Sequence, residues 1–484
     1  MQQLTNIDNV FLQQESRRSP MHISPIIIYD QSKLKRGHVR FKEILTVFER
    51  NLPKSAIFRR KLAGGALGFD TPYWIEDEDF DLEFHVRHVA LPKPGDWRQF
   101  NILLARLHAH GLDMTRPLWE AYVIEGLNGV DGLPPNSFAI MLKIHHAAID
   151  GVSGAEILTA IHSLTDEAEP PILEDNWQGE ARPSPWKIAS TAYVNNLKTP
   201  VKFLKTASKI VSIALENRDD EEGKDKVKPP AFRTRFNDRV SAFRVTDTVK
   251  FDLAEVKAIK NAVPGATIND VIVSVVGGAL HKYLDDKNEL PEVSLKCGAP
   301  INVRSERTSE ATGNQVSMMI IDTASDVTDP VARLCAVRQS SAEAKATSAA
   351  VGNKLMMDIP GSLTPQMWGI GLGALINTAL HTNMALPMHT IVSNVPGPQF
   401  SMYLAGARVH TLMGMGPLVD MVGLFHAVIS GVGGICINFV ACREMMPDPE
   451  FYRQCLQDSY SELREAIIEK PTRKKAKRKA KRPK

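Results

Sequence analysis

Two periods of apolar spacing alternate along the first 165 residues. In Phe41–Arg50 and Trp97–His110 apolar positions recur every three or four residues, which predicts helices. Glu83–Leu91 and Trp119–Glu125 alternate instead, as half-buried strands do. The Gly- and Pro-containing stretch Gly126–Asn136 separates Trp119–Glu125 from an apolar run, Ser137–His145, so the two runs read as a long hairpin. Ser153 followed by Glu156 has the capping-box spacing of a further helix start. The mixed pattern resumes after residue 240. Strands are expected at Ser241–Phe251, Val293–Ala299, Met388–Asn394, Met421–Ser430 and Gly434–Cys442, and helices at Asp252–Asn261, Ile268–Leu284, Pro330–Lys345 and Pro449–Glu469. Both parts interleave the two element types, so the fold class is α/β (mixed α+β) with two comparable subdomains.

The pattern breaks between them. Pro170, Pro171, Pro183 and Pro185 interrupt the chain, and a helical stretch follows with Tyr193, Leu197, Val201, Leu204 and Val211 along one stripe and Lys198, Lys202, Lys205 and Lys209 beside it. A mixed-charge run then ends at Pro229 and Pro230. The expected organisation is a first subdomain over residues 1–170, a linker over 171–240 with a basic amphipathic helix, a second subdomain over 241–470 and a disordered basic tail over 471–484. The helix has two readings, contact with a membrane surface or packing on the protein.

Charge sharpens this picture. Of 58 basic residues nine fall in the last fourteen positions, so the remaining 49 face 55 acidic residues and the body is net acidic. The tail reads either as a solubility tail or as a site for an anionic partner. No apolar run reaches the length of a membrane span, and the polar opening after Met1 has no signal-peptide pattern, so a cytoplasmic protein is expected. The five cysteines, Cys297, Cys335, Cys436, Cys442 and Cys455, form no C-x-x-C pair, and neither a disulfide framework nor a zinc site is expected.

The sharpest chemical feature is His145-His146-Ala147-Ala148-Ile149-Asp150-Gly151 at the end of an apolar strand. Adjacent strand residues point to opposite faces, which argues against a metal held by both histidines. One active and one supporting imidazole remain, with Asp150-Gly151 as a turn; an unperturbed imidazole titrates near about 6.5, suited to a general base. By itself the pattern is as compatible with structural histidines as with catalytic ones. Thr267-Ile268-Asn269-Asp270 has the spacing of a helix cap with its acid at the positive end of the helix, and Ser393-Asn394-Val395-Pro396-Gly397-Pro398 has the composition of a turn.

These blocks together carry a resemblance. His-His-x-x-x-Asp-Gly is similar to the motif of the coenzyme A-dependent acyltransferase superfamily. Leu4-Thr5-Asn6-Ile7-Asp8 with Phe11, Leu12 and Glu15, then Pro20-Met21-His22, Arg116-Pro117-Leu118-Trp119-Glu120, Asn269-Asp270 and Ser393–Pro398 resemble, in order, the blocks of the bacterial wax ester synthase/diacylglycerol acyltransferase family. The resemblance implies two chloramphenicol acetyltransferase-like subdomains with a substrate tunnel between them. It implies transfer of a long-chain acyl group from acyl-CoA, a substrate and not a cofactor, to a fatty alcohol or diacylglycerol, without metal, cofactor or covalent acyl-enzyme. His146 is then the general base, His145 its support and Asp150 the residue holding the loop, with Arg304 as a candidate partner. Gly151 or Asn269 supplies a candidate oxyanion donor, and Asp270 is structural or lies beside that donor. Condensation-type enzymes on carrier-bound substrates and a non-catalytic lipid-binding homologue are the alternatives. Peripheral contact with a membrane or lipid droplet is expected, and nucleic acid is not.

Overall fold

The computed structural model describes residues 2–64, 71–149, 161–167, 232–302, 316–351, 365–382 and 386–469, with isolated positions between 177 and 191. The earlier part contains β1 (Gln2–Gln3), α1 (Asn6–Gln14), β2 (His22–Asp30), α2 (Phe41–Asn51), β3 (Arg60–Ala63), β4 (Tyr73–Glu76), α3 (Leu82–His85), β5 (Val86–Ala90), α4 (Trp97–Ala109), β6 (Trp119–Glu125) and β7 (Phe138–His145). The later part contains β8 (Arg244–Asp252), α5 (Leu253–Ala262), α6 (Ile268–Asp286), β9 (Lys296–Asn302), β10 (Val316–Asp322), α7 (Pro330–Val351) and α8 (Pro365–Thr382). It continues with β11 (Thr390–Pro396), β12 (Tyr403–Leu404), β13 (Ala407–Met415), β14 (Leu424–Gly431), β15 (Gly434–Cys442) and α9 (Pro449–Arg464). The helix expected from Ser153, the lysine-flanked helix and the basic tail lie outside the described residues, as do Asp150, Gly151 and Arg304.

Two six-stranded mixed sheets dominate, ordered β12-β13-β2-β7-β6-β5 and β10-β9-β11-β14-β15-β8, with a small sheet β1-β4-β3 beside the first. The expected hairpin is present: β6 and β7 pair antiparallel with Trp119 opposite Ile144. β7 lies between β2 and β6 and is buried along its whole length, which is why its sequence runs almost continuously apolar rather than alternating.

Three expectations change. Glu83–Leu91 is not one strand: Asp81 accepts a hydrogen bond from the Glu83 N–H and caps the short helix α3, so the strand begins at Val86. Ser393–Pro396 is not a turn but the end of β11, which runs parallel to β14. The Gly397 N–H donates to the Ser430 carbonyl at 2.6 Å, and a Cβ at Gly397 would stand 2.7 Å from that oxygen, so the glycine serves close backbone approach. The third concerns the division at residues 171–240, because β12 and β13 belong to the sheet of the first half. β13 pairs antiparallel with β2, from Arg408 opposite Asp30 to Met415 opposite Ser24, and covers a strand edge that would otherwise be bare.

The halves also share a core. Phe100 and Leu104 of α4 bury into one cluster with Val249 and Phe251 of β8. Beside that contact the Asp247 carboxylate accepts hydrogen bonds from Trp97 Nε1 at 2.7 Å and Asn101 Nδ2 at 2.9 Å, and Arg453 of α9 approaches it to 3.2 Å. Burial pushes this carboxyl above its ordinary value, against the pull of those donors. α4 is therefore a structural bridge between the two sheets.

Candidate active site

β7 ends at His145, and His146 opens a 3₁₀ turn through Ala148. Strand alternation therefore does not separate the two imidazoles, since only the first belongs to the strand. The backbone holds both in place: His145 N–H donates to the Leu118 carbonyl at 3.0 Å and His146 N–H to the Met21 carbonyl at 2.8 Å.

α1 covers this turn and is itself packed against α8. Thr5 caps α1 by accepting from the Asp8 N–H. Phe11, on α1, stacks on His146 with ring centroids 3.8 Å apart and planes 16° from parallel. Glu15 follows the helix end; its carboxylate accepts from the Met21 N–H at 2.5 Å and lies 3.3 Å from His145 Nε2. That last approach is an electrostatic contact rather than a completed hydrogen bond. His145 Nδ1 accepts from the Ala147 N–H at 3.1 Å, so the proton of a neutral His145 sits on Nε2, on the side of the ring nearest Glu15.

A buried polar network backs the turn. His22, opposite His145 across the β2–β7 ladder, places Nε2 2.9 Å from the His108 carbonyl, to which it donates. His108 donates through Nε2 to the Gly416 carbonyl at 3.0 Å, so its Nδ1 accepts from Ser24 Oγ at 2.8 Å. Lys143, fully buried on β7, donates to the His110 carbonyl at 2.8 Å and meets Glu120 at 3.3 Å; Tyr122 OH donates to the same carboxylate at 2.7 Å. A buried ammonium without those partners would be strongly destabilising.

Burial sets the proton state of these imidazoles. It lowers His146 to about 4, with the neighbouring His145 adding to the effect and the His146 carbonyl pulling the other way. His108 falls to about 3 and His426 to about 4, both chiefly through burial, and His22 is also pushed well below its ordinary value. At neutral pH His146 is thus an uncharged imidazole, able to accept a proton. Unfolded, these histidines titrate near about 6.5, and below that pH the unfolded chain binds protons that the native chain excludes. Their contribution is present above pH ~6.5 and is lost as pH falls toward the native values, by at most about 1.4 kcal/mol per pH unit for each group. Urea midpoints measured between pH 7 and 5 are expected to decline steadily; a flat profile contradicts neutral burial.

Thr267 and Asp270 cap α6 reciprocally: the Thr267 N–H donates to Asp270 Oδ2 at 2.8 Å and the Asp270 N–H to Thr267 Oγ1 at 3.2 Å. Asp270 is buried and committed to this cap. Asn269 is half-buried in the first helical turn, and its amide makes no hydrogen bond to another described residue. The structure thus joins His145 and His146 to partners that local sequence did not indicate. Glu15 and His22 stood only as members of the amino-terminal blocks, and His108 and Lys143 were not singled out. Their one available signal is charge or imidazole at positions of otherwise apolar elements.

Two sheets sharing a core, with paired histidines on a turn at the end of a central strand, define a two-lobed acyltransferase-type fold. A family model described as the wax ester synthase/diacylglycerol acyltransferase catalytic domain matches residues 4–272, and the family's C-terminal domain matches residues 312–464. The chain belongs to the wax ester synthase/diacylglycerol acyltransferase family and is an acyltransferase enzyme. Proteins of Mycobacterium tuberculosis and Mycobacterium bovis, both named as putative diacylglycerol O-acyltransferases, are 30% and 29% identical to it. These matches cover 97% and 95% of this chain and 92% and 98% of the relatives. Among solved structures, the wax ester synthase/diacylglycerol acyltransferase from Marinobacter aquaeolei shares the fold with a TM-score of 0.65 at 23% identity, over 96% of this chain and 99% of that one. The starter condensation domain of rhizomide synthetase is a more distant likeness, with a TM-score of 0.52 at 11% identity over 97% and 95% of the two chains.

Proposed function

We propose that this acyltransferase moves a long-chain acyl group from acyl-CoA to the hydroxyl of a fatty alcohol or diacylglycerol, with His146 as general base. The observation that carries the reading is the uncharged, half-buried His146, its N–H on the Met21 carbonyl and its ring on Phe11, where α1, itself packed against α8, covers the turn after β7. The acceptor hydroxyl gives its proton to the imidazole as its oxygen attacks the thioester carbonyl. The tetrahedral oxyanion collapses with cleavage of the C–S bond, and the imidazolium returns the proton to the leaving thiolate. Direct transfer needs no covalent acyl-enzyme, and binding both reactants in one tunnel between the lobes removes much of the entropic barrier. Gly151 N–H and the Asn269 amide remain the candidate oxyanion donors, and Asp150, with Arg304 as its candidate partner, is assigned to holding the loop. Mass spectrometry after incubation with palmitoyl-CoA and either hexadecanol or dipalmitoylglycerol is expected to show the matching ester; absence of both esters overturns the reading.

Such substrates and products are poorly soluble in water, so the enzyme meets them at an interface. No helix among the described residues is long and apolar enough to cross a membrane. Peripheral adsorption through the Lys-flanked segment 193–215 and the basic tail is the proposed mode. Near an anionic surface each basic residue contributes about 1 kcal/mol, screened over the Debye length. A chain ending at Glu469 is expected to lose most salt-sensitive sedimentation with anionic liposomes while keeping turnover on detergent-dispersed substrate. Equal sedimentation of the two chains removes the tail from this role.

A further inference from the structure

Where α4 meets the β8–β15 edge, a pocket of 470 Å³ is lined by Arg17, Arg106, Arg244, Arg443, Phe243 and Gly111 among others, and by no carboxylate among the described residues. This is unusual in a chain whose body carries more acidic than basic residues. Arg244 is 6% exposed and donates to the carbonyls of Ser241 and Phe243 at 2.5 and 3.3 Å, and to that of Arg18; it forms no salt bridge with a described residue, though Glu444 and Asp420 act on it electrostatically. Arg17, Arg106 and Arg443 are exposed and likewise form no ion pair with a described residue. The adjoining cleft of 540 Å³ shares Arg106, Arg244 and Arg443 with this pocket and adds two arginines that are paired, Arg98 with Glu450 and Arg453 with Asp247.

Two further observations narrow the ligand. Phe243 is 54% exposed and carries the Arg443 guanidinium over its ring at 4.5 Å, a flat surface suited to an aromatic base. Gly111 ties the pocket to the histidine motif, because a Cβ there would lie 3.7 Å from the Glu15 carboxylate, which itself contacts His145. Unpaired guanidinium groups bind phosphate oxygens bidentately, and several together match a ligand carrying more than one phosphate.

We propose that this pocket holds the phosphorylated adenosine end of the acyl-CoA donor, with Arg17, Arg106 and Arg443 on its phosphates and the Phe243–Arg443 pair beside its adenine. The assignment rests on acyl-CoA being the donor, and it directs the thioester toward the histidine motif from the Glu15 side. The competing source of the same chemistry is an anionic lipid headgroup.

The test uses the full chain and titration calorimetry with adenosine 3′,5′-bisphosphate, adenosine and inorganic phosphate. The wild-type protein is expected to bind the bisphosphate at one site and adenosine far more weakly. Arg106→Gln and Arg443→Gln are each expected to weaken the bisphosphate about tenfold or more, as loss of a charged hydrogen bond does, with unchanged thermal unfolding. Both are expected to raise KM for palmitoyl-CoA with little change in kcat, whereas His146→Ala lowers kcat and leaves bisphosphate binding intact. Unaltered bisphosphate binding and KM in both arginine variants overturns the assignment while leaving the acyl-CoA reading standing. Loss of adsorption to phosphatidylglycerol vesicles with bisphosphate binding preserved overturns it in favour of a headgroup. A wild-type protein that transfers no acyl group from palmitoyl-CoA fails the underlying reading instead, and bisphosphate binding then stands or falls separately.

Discussion

His146→Ala is expected to lower kcat by about a hundredfold to ten-thousandfold, the usual consequence of removing a general base, in a protein that still unfolds cooperatively. The half-buried imidazole stacks on Phe11, so some stability is also lost, and circular dichroism must accompany the kinetics. His145→Ala is expected to lose less turnover. That ring accepts from the Ala147 N–H inside the turn and its Nε2 lies 3.3 Å from Glu15, so its proposed part is to position His146 rather than to exchange a proton with substrate. Glu15→Gln keeps the hydrogen bond from Met21 but removes the charge beside His145, and its kcat is expected to fall between those of wild type and His145→Ala. Full activity in folded His146→Ala removes this residue from the chemistry, and equal losses for the two histidine variants remove the distinction between base and support.

Trp119→Ala is expected to destabilise the chain by about 3–5 kcal/mol, the range for truncating a fully buried large aromatic. Trp119 is 1% exposed, stacks on His85 with centroids 4.7 Å apart, meets Phe48 and Phe58, and donates its indole N–H to the Phe58 carbonyl at 3.0 Å. Its removal therefore opens a cavity and leaves a buried carbonyl without its donor. Trp119→Phe retains most of the volume and loses only that bond, so about 1 kcal/mol is expected. Trp119 also stands opposite Ile144, and the preceding Leu118 carbonyl receives the His145 N–H, so the alanine variant is expected to lose turnover as well as stability. Urea unfolding gives the measurement. A loss below 1 kcal/mol for the alanine variant contradicts the packing described.

Legibility in the sequence followed the range of the interactions. The β6–β7 hairpin was readable because its two strands are neighbours in the chain and its loop has turn chemistry. The cap of α6 was readable because Thr267 and Asp270 lie three residues apart. β2 and β13 were missed. Each is a nine-residue strand of mixed apolar and polar positions whose partner is either more than a hundred or nearly four hundred positions away, and composition says nothing about such pairing. The end of β11 was misread for the opposite reason, since its Gly and Pro have local turn propensity that a parallel neighbour overrides.

By itself the sequence determined the mixed α/β class, the strand that delivers the histidine pair, and the family, because these depend on apolar periodicity and on residues adjacent in the chain. Only the tertiary structure decided what surrounds the pair. Phe11, Glu15, Met21 and His22 reach it from the amino-terminal segment, and His108 joins that environment to Gly416 across 308 positions. The low proton affinity of His146 comes from the same source. Desolvation is a property of everything packed around a group, and no residue's neighbours in sequence reveal it.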